Sequence, residues 1–277
     1  MIVELEHRLF LEQDYALINP MQVGREAYSD LDVLRLQPKG FERHERLMPL
    51  LVHLTGLEET RRIKLLERVD DWARGHDMPL FSALFTSEKA PEQVKMSLRA
   101  RMVLKRNAGG SVWLRYHDPR VFRHLCWLLD DAQLATLMGP VTAWFGYDPL
   151  SGSWCRWSRP DARMHSRLHL SPGQWQAVEQ FEELNRCLRD FADEGRSSDD
   201  AAARSLLEGL LAAREQGLTQ SDDAILYARQ QFDHGKGVAA LPAVAKRLRQ
   251  ARERAASYIM ACSDLLEEDL RRRPGAM

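Results

Sequence analysis

Two groups of residues in the sequence are of types that can do chemistry. His165 and His169 stand four residues apart in Met164-His165-Ser166-Arg167-Leu168-His169. On a helix that spacing sets both imidazoles on one face, as a zinc site requires. No Glu or Cys is placed to complete the ligand set, and Pro172 follows soon after. They read better as connector histidines, and no metal site is expected. The second group is Arg115, His117 and Asp118, gathered where a strand would meet a helix. These are acid–base types. A plainer reading covers the same residues: Asp118 caps a helix, Pro119 fills its first position, and Arg115 pairs with a carboxylate. Capping explains the Asp-Pro pair fully, so it is preferred, and no catalytic residue is assigned.

Other reactive types are equally unassembled. Cys126, Cys155, Cys187 and Cys262 are far apart and form no CxxC, so neither a zinc knuckle nor a redox pair is indicated. Cys126 falls inside an apolar helical stretch, where cysteine usually packs. G-x-S-x-G, P-loop and G-x-G-x-x-G patterns are missing, and no cofactor is expected. The chain therefore reads as a non-enzyme. The alternative is an enzyme whose site assembles from scattered residues.

The elements that would position these groups are marked by periodicity. Tyr15–Ile18, Val33–Leu36, Met48–Leu54 and Pro79–Thr86 are apolar runs that predict strands. Glu58–Arg74 predicts a helix with Ile63, Leu66, Val69 and Trp72/Ala73 on one face. A second helix opens at Pro91 with Val94, Leu98 and Met102 inward. Met102–Arg106 should pair with Val112–His117 across an Asn107–Ser111 turn. A helix follows from Asp118, then a short companion ended by Gly139-Pro140. A hairpin follows, with Val141–Tyr147 and Ser153–Trp157 as its arms. The expected class is α/β (α+β): a mixed-sheet α/β lobe over 1–158, then an all-helical lobe of about four helices over 159–277.

In the helical part, Ser171-Pro172-Gly173-Gln174 is a capping box. It starts a helix carrying Trp175, Val178, Phe181, Leu184, Leu188 and Phe191. Ala201–Gln216 and a helix from Thr219 or Ser221 to near Gly235 come next. Leu241, Val244, Leu248, Ala251, Ala255, Tyr258, Cys262 and Leu265 then alternate steps of three and four, predicting one long helix with a narrow seam. Arg271, Arg272 and Arg273 would complement its negative end.

Composition limits the function classes. The chain has 277 residues, 44% hydrophobic and 29% charged, as in a soluble globular protein. Its 39 basic and 40 acidic residues nearly balance, giving no electrostatic case for nucleic acid. Leu206–Phe232 can be read as a helix-turn-helix DNA-binding regulator, but the supposed recognition helix begins with Asp222 and Asp223. The basic run from Lys246 to Arg254 is a solvated helix side. No apolar run approaches the ~20 residues of a membrane helix, and the start lacks a signal peptide's pattern. A reducing, cytoplasmic location is the simplest inference. Trp144, Trp154 and Trp157 cluster on the predicted hairpin. Core packing is the preferred role for them, and a partner-binding face the other. Leu241, Leu248 and Tyr258 of the seam are further candidates for partner contact, since such seams either pack internally or accept a helix.

Tyr15–Ile18, Met48–Val52, Phe81–Thr86 and above all Leu114-Arg115-Tyr116-His117-Asp118-Pro119-Arg120-Val121-Phe122 resemble the domain of unknown function 4123. Leu137-Met138-Gly139-Pro140 and Trp144 continue the likeness, which covers about Tyr15 to Trp157. Asn19-Pro20 departs from it after the first strand. The resemblance implies an adaptor chaperone of bacterial type VI secretion, which binds a secreted effector, usually by its N-terminal region. Such a protein loads the effector onto the VgrG spike or its PAAR tip and needs no nucleic acid or membrane. The family brings no catalytic residues. Arg115, Tyr116, Asp118, Pro119 and Arg120 are expected to be mainly structural.

Overall fold

Backbone polar groups in an apolar run must pair with one another, so the runs at the start of the chain become strands. The computed structural model describes residues 2–3, 7–76, 78–106, 109–266 and 269–270. In order these form β1 (Ile2–Val3), α1 (His7–Leu11), β2 (Tyr15–Ile18), β3 (Val33–Arg35), β4 (Leu50–His53), α2 (Glu59–Gly75), β5 (Ala83–Thr86), α3 (Pro91–Arg101), β6 (Val103–Lys105), β7 (Ser111–Trp113), α4 (Pro119–Leu128), α5 (Asp131–Met138), β8 (Ala143–Asp148) and β9 (Ser153–Ser158). The helical remainder is α6 (Pro172–Val178), α7 (Phe181–Asp193), α8 (Asp200–Glu215), α9 (Ser221–His234), α10 (Pro242–Arg252) and α11 (Tyr258–Ala261). Contacts divide the chain into two units, 1–169 and 170–277. The stretch 159–169, with His165 and His169, belongs to the first.

In the first unit a seven-stranded sheet runs β1-β9-β8-β5-β2-β4-β3. Its pairings are antiparallel, so the fold is α+β. Alternation along each strand sorts side chains to two faces. One face carries Ala16, Ile18, Leu50, Val52, Leu84 and Phe145 against Phe10 of α1 and Leu65, Leu66 and Val69 of α2. The buried stripe of α2 is rotated from the expected one. Leu65 is buried and Ile63 is 38% exposed, and Arg62 donates to the carbonyls of Leu11, the last residue of α1, and Gln13.

The other face carries a cross-strand row of rings. His53 stacks on Tyr15 at 5.1 Å, Tyr15 on Phe85 at 5.5 Å, and Phe85 on Trp144 at 5.4 Å. Register makes these direct neighbours, with Trp157 opposite Trp144 on β9. Phe122 of α4 lies on Trp144 at 4.5 Å and meets the edge of Trp157 at 5.4 Å. Such contacts add to burial because ring quadrupoles favour offset and edge geometries.

β6 and β7 form a separate two-stranded sheet, pairing Val103 with Trp113 and Lys105 with Ser111. The strand expected over Val112–His117 stops at Trp113. Beyond it Leu114 N–H still reaches Met102 O at 2.8 Å, but Arg115 to Asp118 close a turn, Asp118 N–H donating to Arg115 O at 2.9 Å. Asn107 and Ala108 of the predicted turn lie outside the described residues, as do Arg271, Arg272 and Arg273.

Two corrections concern the helical unit. The helix from Ser171 is two helices, since Gln180 leaves helical angles (φ −99°, ψ 2°) and accepts from Arg214 Nε at 2.8 Å. The long helix through Leu265 is also broken. Arg254 takes a left-handed φ of 57°. Ala255 N–H then donates to Gln250 O and Arg254 N–H to Ala251 O, a Schellman closure of α10. Ser257 caps α11 by accepting from Met260 N–H. The three–four rhythm runs on through the turn because Tyr258, with no exposed surface, still falls into the core.

Candidate functional site

Motif residues Arg115 to Arg120 sit between β7 and α4 and bind to one another. Asp118 is 2% exposed and caps α4 by accepting from Arg120 N–H at 3.1 Å. Arg120 folds back on the same carboxylate through Nε at 3.0 Å and Nη2 at 2.8 Å, and Arg115 Nη2 lies at 3.5 Å. Burial pushes the Asp118 carboxyl up, but the hydrogen bonds and charge of Arg120 outweigh it and hold the group below its ordinary value. Tyr116 is buried and donates to Leu98 O at 3.0 Å, fixing the last turn of α3. Burial raises its phenol well above the usual range. Pro119 is buried at N1 of α4.

His117, 2% exposed, stacks on Trp113 with centroids 5.8 Å apart. Burial drives its imidazole down to about 4, opposed by Asp118 and aided by Arg115. His117 Nδ1 and Trp113 Nε1 are both buried without a partner among the described residues.

His165 and His169 lie in an extended connector, not on a helix. The connector is pinned to α5: His165 N–H donates to Thr136 Oγ1 at 2.7 Å, and Gln133 Nε2 donates to His169 O at 2.7 Å. Among the described residues, no group of three or more His, Cys, Asp and Glu is close enough to hold a metal. Trp144 and Trp154 are 1% and 8% exposed, Leu241, Leu248 and Tyr258 at most 5%, and Trp157 is half-buried. Trp144, Trp154, Leu241, Leu248 and Tyr258 face the interior and offer a partner no surface. On α9, Asp222 pairs with Arg186 at 2.6 Å and Asp223 accepts from Ile259 N–H at 2.9 Å.

A cleft of about 360 Å³ lies in the first unit between the α3–β6 corner and that connector. Arg101, Val103, Lys105, Thr136, Arg167 and His169 line it. Its volume falls in the ligand-pocket range of about 300–1,000 Å³. Arg101 is the deepest cation. Its Nη1 donates to Ser97 O at 2.8 Å and Ser97 Oγ at 2.7 Å, and its Nε to Thr136 O. No carboxylate among the described residues faces it, and burial lowers its pKa. Gly139 makes room, since a Cβ there would sit 2.7 Å from Arg101 Cζ. Sequence reasoning missed this site. The available signal was Arg101 and Lys105 four apart with Ser97, not an acid, one turn earlier.

The class defined so far is an antiparallel α+β unit whose charged motif is fastened to itself and whose open cleft is lined by cations. Residues 26–136 match the family described as Domain of unknown function (DUF4123). The match includes the Arg115–Val121 motif and is narrower than the Tyr15–Trp157 likeness. No curated protein and no solved structure matches the chain. No helix among the described residues is long and apolar enough to cross a membrane.

Proposed function

We propose that the protein is a cytoplasmic, non-enzymatic adaptor chaperone of bacterial type VI secretion. It binds a secreted effector, through that protein's N-terminal region, and loads it onto the VgrG or PAAR spike. The DUF4123 match over residues 26–136 carries this reading, through the role that the family resemblance implies. Two features are compatible with it. The polar motif is spent on bracing α3 and α4, and the accessible cleft is lined by cations and a strand.

The test is co-purification with an effector encoded beside a spike gene. The native protein should retain full-length effector and lose it when the effector's N-terminal region is deleted. Retention of neither effector nor spike protein would overturn the proposal. So would a turnover that requires a residue of this chain.

A further inference from the structure

Among the described residues, β6 has one paired edge, on β7, and one open edge. Leu114 N–H donates to Met102 O, and Arg106 N–H to Gly110 O. With the register of β6 on β7, these bonds turn Met102, Leu104 and Arg106 toward β7. In an antiparallel ladder the alternate residues turn their N–H and C=O groups the other way. Those residues are Val103 and Lys105, and both line the cleft. An open edge of this kind is a template for another extended chain.

The surrounding charge has one sign. Arg101, Lys105, Arg167 and His169 line the cleft with no carboxylate among them. Lys105, Arg167 and His169 are exposed, and Arg101, half-buried, has no acidic neighbour among the described residues. The connector opposite β6 is fixed by Thr136 and Gln133, and Arg101 is tied to Thr136 and Ser97. Both walls are therefore set before anything binds, which lowers the ordering cost of association.

We propose that the cleft binds an extended acidic peptide segment, which adds to the open edge of β6 by main-chain hydrogen bonds and places carboxylates against Arg101, Lys105 and Arg167. This deepens the adaptor reading and rests on it for the segment's source, an effector. The recognition mode is strand addition, where backbone bonds give affinity and alternate side chains give specificity. A bare phosphate or a nucleic acid would satisfy the cations but leave the Val103 and Lys105 edge unused.

The experiment uses the full chain and an acetylated, fluorescent hexapeptide of alternating valine and glutamate. Saturable binding is expected. It should weaken at least tenfold when glutamine replaces glutamate, and again when alternate peptide amides are N-methylated, a change that blocks pairing but keeps charge. K105E combined with R167E should abolish binding. Both positions are exposed, and circular dichroism verifies that the variant folds. Amide exchange at Val103 and Lys105 should slow with peptide bound. Indifference to N-methylation, equal binding to the double variant, or displacement by inorganic phosphate at equal concentration would overturn the inference. Effector co-purification separates the two proposals. Effector held by the native protein and equally by the double variant overturns the cleft but leaves the adaptor standing. No effector held by the native protein fails the adaptor, while the peptide titration still decides the cleft.

Discussion

The two units reach a filled interior by different means. In 1–169 the sheet face is covered by large rings in contact, from His53 through Tyr15 and Phe85 to Trp144 and Phe122. In 170–277 the helices approach through small residues, and Gly209 lies so near α9 that a Cβ would stand 2.8 Å from Ala228 Cα. Among its rings, the buried Phe191 meets Phe232 edge-on at 5.0 Å, with Arg196 Cζ 3.7 Å over Phe191. Asp233 and Glu194 hold Arg196 in place. A ring stack concentrates stability in a few positions, whereas close helix packing spreads it over many. The first unit should therefore be fragile at single sites and the second sensitive to added volume.

Trp144→Ala should break the first unit most severely. Loss of a buried aromatic costs about 3–5 kcal/mol, read as a fall in the melting transition of that unit by calorimetry. A loss under about 1 kcal/mol would show that the stack is not where stability resides.

Acid should separate the units nearly as well. His117 titrates at about 4 when folded and near 6.5 when free. Between those values the unfolded chain binds the extra proton, so stability falls as pH drops from about 6.5 to 4. The full effect is about 3 kcal/mol at 1.36 kcal/mol per unit. In H117F the denaturation midpoint of the first unit should lose that part of its acid slope. An unchanged slope would mean that His117 is not buried neutral.

The helical unit has the converse sensitivity. Gly209→Ala should destabilise it by about 1–3 kcal/mol through overpacking against Ala228, with the first unit's transition unmoved. The smallest effect has the opposite sign. R254G relieves a left-handed residue that costs about 1 kcal/mol, so the second transition should rise by roughly a few degrees. A fall would mean that the Arg254 side chain contributes more than its backbone costs.

What the sequence showed follows the same division. Tyr15–Ile18 was legible as a strand because four consecutive buried residues can be little else in so short a run. The Asp118 cap and the Ser171 capping box were legible because their chemistry is local. Breaks at Gln180 and Arg254 were not, since neither residue is a typical helix breaker and the apolar rhythm continues across both. The cleft was hidden for another reason. It depends on the connector reaching α5 from residues far along the chain, and on β6 pairing with β7 alone among the described strands, which no local pattern records.

The order of the sheet bears on what the family's shared segment is. Residues 26–136 contain β3, β4 and β5. Yet β4 and β5 never touch as strands: β2, from outside the segment, lies between them and pairs with both. On its far side β5 pairs with β8, also from outside. The matched stretch thus supplies the β4–β3 edge and the central strand β5, while β2, the strand that joins them, comes from flanking sequence. A piece cut at residues 26 and 136 would leave β4 and β5 without the strand that pairs with both.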